Sequence, residues 1–176
     1  MSLSASTLGN LTAGSMNQAD NAAEAHTRLC NAIKGHVLDN IELAGTYTGL
    51  LPNGSPDPSN GSYKWEASSF NISAEAVKSG AEGGLSGFAN ALKAECAKVT
   101  FTGSDKNNII TIGSVTLTIN SLSIDMSSKP DNMEEAHQKV AVGIISGLTG
   151  AITSPSSISG ASTSGGTGTV VFGAIS

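Results

Sequence analysis

Charge, aromatic rings and long apolar runs are what this chain has little of. Of its 176 residues only 13% are charged and 4% aromatic, the charged share being about half of the roughly 25% usual in globular domains. A core must therefore be assembled from Ile, Leu, Val and Ala, and the surface covered by Ser, Thr, Gly and Asn. The nine Lys and Arg are scattered singly in a chain of net charge −5. Nucleic-acid binding needs clustered cations to displace phosphate counterions, so no nucleic-acid partner is expected. The longest uncharged apolar run, residues 140–152, falls well short of the ~20 residues that span a bilayer, so no membrane insertion is expected. The opening "MSLSASTLGNLTAGSM" has neither a basic start nor an apolar core and does not read as a secretory signal. These features describe a soluble protein made in a cytoplasm. Two cysteines, Cys30 and Cys96, make no disulfide framework and read as small buried hydrophobes of two helices.

What the chain does have is periodicity. Asn21 with Glu24 three residues on is a capping-box arrangement. Leu29, Ile33, Val37 and Ile41 follow at spacing four, an apolar stripe on a helix ending near Asp39. Residues 41–51 are rich in strand formers, 52–62 hold Pro, Asn-Gly and Ser, and 63–72 form a second strand, so a long-looped hairpin is expected. Leu85, Phe88, Leu92 and Cys96 give a helix over 85–98, approached through Gly80, Gly83 and Gly84, which weaken it. From residue 99 to 126 apolar residues alternate, with phase slips at Gly113-Ser114 and Asn120-Ser121, the pattern of a meander of three or four short strands. Asn132 with Glu135 then repeats the first capping box.

The repetition runs deeper than the caps. "DNAAEAHTRL" (20–29) and "DNMEEAHQKV" (131–140) align at an offset of 111, and the stripe continues as Val140, Ile144, Leu148 and Ile152. "TLGNLT" (7–12) lies against "TINSLS" (118–123). The repeated unit reads as an extended segment, a connector and a capped helix. It carries structure rather than chemistry: Glu and His two apart on a helix point to different sides, and the second copy puts Ala141 where Cys30 stands. His26, His36 and His137 offer no three-ligand spacing, so neither a metal, a cofactor nor a catalytic centre is expected.

The C-terminal segment from 153 to 168 is almost all Ser, Gly, Thr and Ala, the composition of a flexible linker. It ends in "TVVFGAI" (169–175), which has strand chemistry. The expected architecture is α+β: three helices with a β-hairpin and an antiparallel β-meander, plus a tethered C-terminal strand. Residues 1–19 form a flexible arm, 20–152 a single domain, and 153–176 a linker and strand arm. An apolar strand on a tether is an aggregation hazard unless docked, and a neighbouring subunit is the expected dock. That makes Val170, Val171, Phe172 and Ile175 interface candidates, with the small pair Gly143 and Gly147 allowing close approach of a further helix.

The Ser/Thr/Gly-rich start, the poorly charged body, the Thr-rich "SVTLTINSLSI" and the terminal "GGTGTVVFGAIS" resemble structural proteins of tailed-bacteriophage virions. That resemblance implies a non-enzymatic, homo-oligomeric tail, baseplate or connector component, assembled with copies of itself and other virion proteins. The reading from another class is a monomeric sugar- or peptide-binding domain using Tyr47, Tyr63 and Trp65 of the hairpin. A small enzyme with dispersed catalytic residues is a third.

Overall fold

The computed structural model of the chain describes residues 3–176. In chain order the elements are α1 (Ala5–Met16), α2 (Ala22–Asn40), β1 (Glu42–Leu50), β2 (Gly61–Glu66), α3 (Ala74–Glu82), α4 (Gly84–Cys96), β3 (Thr100–Ser104), β4 (Ile110–Thr118), α5 (Met133–Thr149), β5 (Ile152–Ser154), β6 (Ser157–Ser162) and β7 (Thr167–Ile175). The class is α+β, but the expected arrangement of three helices, hairpin, meander and tethered strand is overturned. Among the described residues there are five helices, and all seven strands belong to one antiparallel sheet of order β2-β1-β7-β6-β4-β3, with β5 on β4.

The two missed helices have simple causes. Residues 5–16 contain no charge and several poor helix formers, so propensity alone would not fold them. They fold because Ser4 caps the first turn, its Oγ accepting the Thr7 N–H at 3.2 Å, and because Leu8 and Ala13 are buried against the rest of the core. The N-terminal arm is therefore a packed helix. The approach through the glycines is also helical: α3 is capped by Ser73 and breaks from α4 at Gly83 and Gly84, where Gly84 takes a φ of +73°. Leu85, expected on the apolar face of α4, is exposed, whereas Leu92 and Cys96 are fully buried.

The repeated helices match closely at their starts. Asn21 Oδ1 accepts the Glu24 N–H and Asn132 Oδ1 accepts the Glu135 N–H, both at 2.9 Å. The glutamates reach back to the N–H groups of Asp20 (2.9 Å) and Asp131 (2.7 Å). The likeness stops on either side: residues 7–12 are helical while 118–123 are the last residue of β4 and an irregular segment after it, and Ile152 leaves the stripe because α5 ends at Thr149. Only the capped helix repeats.

The meander is corrected too. β3 and β4 pair with a bulge at Gly113-Ser114, opposite Thr102, but residues 119–128 form no strand. This segment lies without regular structure against α5, burying Ile119, Leu122 and Ile124. Gly143 and Gly147 permit that approach. A Cβ on Gly143 would stand 2.5 Å from the Ser123 carbonyl oxygen, and one on Gly147 3.3 Å from Leu122. The glycine pair thus admits an irregular segment of the same chain, not another helix.

The largest correction concerns the C-terminus. Residues 153–168 hold β5, β6 and the turn of a β6–β7 hairpin rather than a flexible linker. β7 lies inside the sheet, paired with β1 on one side and β6 on the other. The strand docks on its own sheet, and Val170 and Ile175 are buried in their own core.

The sheet curls until its outermost strands meet. Ser68 N–H donates to Thr100 O (2.8 Å), Thr100 N–H to Ser69 O (2.9 Å) and Lys106 N–H to Lys64 O (2.8 Å). Together these bonds pin β2 against β3 and remove much of the edge hazard of an open sheet. One continuous core results, in which sheet residues such as Leu43, Tyr47, Trp65 and Phe101 join Ile33, Leu92, Ile144 and Leu148 of the helices.

Candidate functional site

Three polar centres and one large surface are the places where this fold could do something. The first centre is the seam between β2 and the β3–β4 turn. Glu42 receives Lys106 on Oε1 (2.6 Å) and Lys64 on Oε2 (2.7 Å), and Lys106 also reaches Glu66 at 3.1 Å. The hydrogen bonds from Lys106 and then Lys64 hold the Glu42 carboxyl down at about 2. A groove of about 770 Å³ runs beside this cluster, with Phe172, Tyr63 and Val171 in its lining. Two carboxylates answer two ammonium groups here, so the cluster works as a clasp on the seam and presents no unmatched charge.

The second centre closes the end of the sheet where the 51–60 loop lies. Asp57 is buried, its Oδ1 accepting the Ser59 N–H at 2.8 Å and its Oδ2 accepting the hydroxyls of Tyr47 (3.1 Å) and Ser162 (2.5 Å). Burial alone would raise this carboxyl. The hydrogen bonds from Ser162, Ser59 and Tyr47 outweigh it and keep the group below the ordinary carboxylate range. Asn60 clamps Gly49, accepting its N–H at 2.6 Å and donating to its carbonyl at 3.3 Å. Tyr47 reaches Asp57 by lying across Gly49, where a Cβ would stand 2.1 Å from the phenol oxygen. A loop rich in Pro, Asn and Gly is thereby locked onto β1 and the β6–β7 turn.

The third centre is the β3–β4 turn. Buried Asp105 accepts the N–H groups of Ile109, Ile110 and Asn107 at 2.6 to 2.7 Å, with Asn108 in the left-handed region at φ 56°. A carboxylate engaged by three backbone donors holds the turn in place.

The hairpin aromatics do not form a ligand surface. Tyr47 and Trp65 are fully buried, and only Tyr63 reaches the groove, its hydroxyl donating to Ser59 O at 2.6 Å. Trp65 packs edge-on against Phe172 at 5.9 Å between ring centroids. The alternation of β2 with its partner, Leu43 opposite Trp65, turns the large ring inward. Phe172, named from sequence as an interface residue, is thus half-buried against its own hairpin.

The histidines are dispersed. His26 Nδ1 lies 2.7 Å from Ala22 O within its own helix, and His36 Nε2 accepts the Ser4 N–H at 3.2 Å. His137 is buried and its Nδ1 has no partner among the described residues; burial holds it below the usual imidazole value. No group of three His, Cys, Asp or Glu stands together among the described residues as metal ligands would. Cys30 and Cys96 are free buried thiols, pushed up by burial to about 11 and about 12. Among the described residues no helix is long and apolar enough to cross a membrane.

The surface is the outer face of the sheet, which sequence reading missed. Strands β3 to β7 contain no Asp, Glu, Lys, Arg or His. Outward positions of β1, β7 and β6 stand in register, with Thr46, Val171 and Ser157 forming one row and Thr48, Thr169 and Ser159 the next. Val171 (57%) on β7 and Ile152 (56%) on β5, and Leu50 (54%) at the end of β1, are large apolar residues left in solvent. The alternation of "TGTVVFGAI" held the signal for Val171, once its strand is known to lie inside a sheet.

No protein-family model matches this chain, and neither a curated protein nor a solved structure matches it.

Proposed function

We propose that this protein is a non-enzymatic structural subunit of a homo-oligomeric assembly, of the virion tail, baseplate or connector kind that its sequence texture resembles. The observation that carries the proposal is the outer face of β4, β6 and β7, which bears no charged side chain and leaves Val171 in solvent. Soluble monomers usually guard sheets with charge, and exposed apolar positions grouped on one face mark contact surfaces. The three polar centres support the same reading, because each spends its carboxylates on holding loops, turns and the seam together. In this proposal the partners are further copies of the chain and other virion proteins, joined after synthesis in a host cytoplasm. With β7 docked at home, copies join through faces, not by exchanging strands. Light scattering on the eluting protein over a hundredfold range of concentration is the test. A defined multimer supports the proposal, and a monomer at every concentration refutes it.

A further inference from the structure

We infer that Asn53 is a site of spontaneous covalent modification, losing its side-chain amide through a succinimide formed with Gly54, while the fold protects the chain's other Asn-Gly pair, Asn60-Gly61. This goes beyond the assembly reading and does not depend on it. The chemistry needs an Asn whose successor lacks a side chain, because the attacking atom is that successor's main-chain nitrogen and a Cβ would crowd its approach. Two such pairs occur, one within the connection from β1 to β2 and one where β2 begins. Water is the only co-reactant. The Gly54 nitrogen gives its proton to solvent and bonds to Asn53 Cγ; the Cγ–Nδ2 bond breaks and the amide leaves as ammonia. Water then opens the ring at either carbonyl, leaving aspartate or, where the main chain now runs through Cγ, isoaspartate.

The two pairs meet opposite surroundings. Asn53 and Gly54 are exposed, and Gly54 lies in the left-handed region at φ +82° with nothing within 4 Å of where a Cβ would stand. Exposure admits water and base, and the open space leaves room for the ring. Asn53 Oδ1 accepts the Ser55 N–H at 3.0 Å and the Ser55 hydroxyl at 2.6 Å. Negative charge builds on that same oxygen as Gly54 attacks Cγ, so both donors stand where the oxyanion develops. The bond from Gly54 N–H to Leu51 O at 2.9 Å opposes the reaction, but a lone turn bond in an exposed loop is of the kind that opens most readily. Asn60 is instead held by both ends of its amide, Oδ1 accepting the Gly49 N–H at 2.6 Å and Nδ2 donating to Gly49 O at 3.3 Å. Gly61 already belongs to β2, registered with Tyr47. The nitrogen that would attack is fixed in the sheet, and the amide it must reach is tied to β1. The loop is thus locked at its base by Asp57 and Asn60 and open at its tip.

Each event adds a negative charge at the tip of the loop, and the isoaspartyl product also lengthens the main chain of the turn by a methylene. The test holds the full chain at neutral and at mildly alkaline pH, digests samples taken over days, and separates aspartyl from isoaspartyl peptides by chromatography with mass detection. Both products are expected to accumulate at Asn53, faster at the higher pH because the attacking nitrogen must lose its proton. Asn60 is expected to react at least about tenfold more slowly, since two side-chain hydrogen bonds must open there first. The same measurement in urea should bring the two rates together, because only the fold separates them. Asn53→Gln, whose longer side chain cannot close the five-membered ring, should stay unmodified at that position. Equal rates at the two sites in the folded protein, or an Asn53 that stays intact when folded and reacts only in urea, overturns the inference. Aspartate without isoaspartate at Asn53 overturns the succinimide route, because direct hydrolysis by water gives aspartate alone.

Discussion

Ending the chain after Gly168 should abolish folding. The deletion takes residues 169–176, and with them most of β7, which is registered with β1 at seven positions and with β6 at five. Val170 is fully buried and Ile175 nearly so, and burying two such side chains is worth about 3–6 kcal/mol. The edge-on contact of Phe172 with Trp65 adds about 1 kcal/mol. Both flanking strands also lose main-chain partners, at a net cost of about 1 kcal/mol for each hydrogen bond. The total approaches or exceeds the 5–15 kcal/mol, roughly, by which domains are stable. The milder change Val170→Ala should cost about 2 kcal/mol and lower the midpoint by about 4–8 °C in a chain of this size. Far-UV circular dichroism and a thermal melt read both. A truncated protein that melts cooperatively with native ellipticity would refute the reasoning, because a strand donated to a neighbour can be removed without unfolding its donor, whereas an internal strand cannot.

Two further outcomes follow from the polar groups. Asn21→Ala and Asn132→Ala should each cost about 1 kcal/mol, seen as similar falls in thermal midpoint, since both caps make the same 2.9 Å bond; a fall at one site only would show the two helices to be unequal. Glu42 is held at about 2, against 4.5 for the free group, by Lys106 and Lys64. A folded value below the unfolded one means that its contribution is complete above about pH 4.5 and is lost as pH falls from there toward 2. Thermal midpoints from pH 6 to 2 should therefore drop in the wild type and drop less in Glu42→Gln, which starts lower; parallel curves would remove the clasp from the account.

Local chemistry made some of this protein legible from its residues alone. The two capped helices start where Asn21 and Asn132 place them, because a cap needs only its own first turn to form. The 41–51 strand, the long loop after it and the bulge at Gly113-Ser114 were readable for a similar reason: alternation, breakers and phase slips act over a few neighbouring positions. Burial of Cys96 followed from its place on the apolar stripe of its helix, and that of Cys30 from the small apolar character of a helical thiol.

What the tertiary structure alone decided lies at long sequence separation. Residues 5–16 have poor helix propensity, and only packing of Leu8 and Ala13 against distant elements turns them into α1. Gly143 and Gly147 announce a close approach without saying what comes close, and the answer was an irregular segment about twenty residues earlier. Residues 153–168 have the composition of a linker because Ser, Gly and Thr suit a solvent-facing strand as well as a flexible chain. Their strand state comes from β4 and β7, which supply main-chain partners that composition cannot reveal. The candidate surface has the same origin. Each of its threonines is unremarkable along the chain, and only the pairing of β1, β7 and β6 sets Thr46 beside Val171 and Ser157. Periodicity fixes which way a side chain points within its own strand, but main-chain pairing between residues more than a hundred positions apart determines what stands next to it.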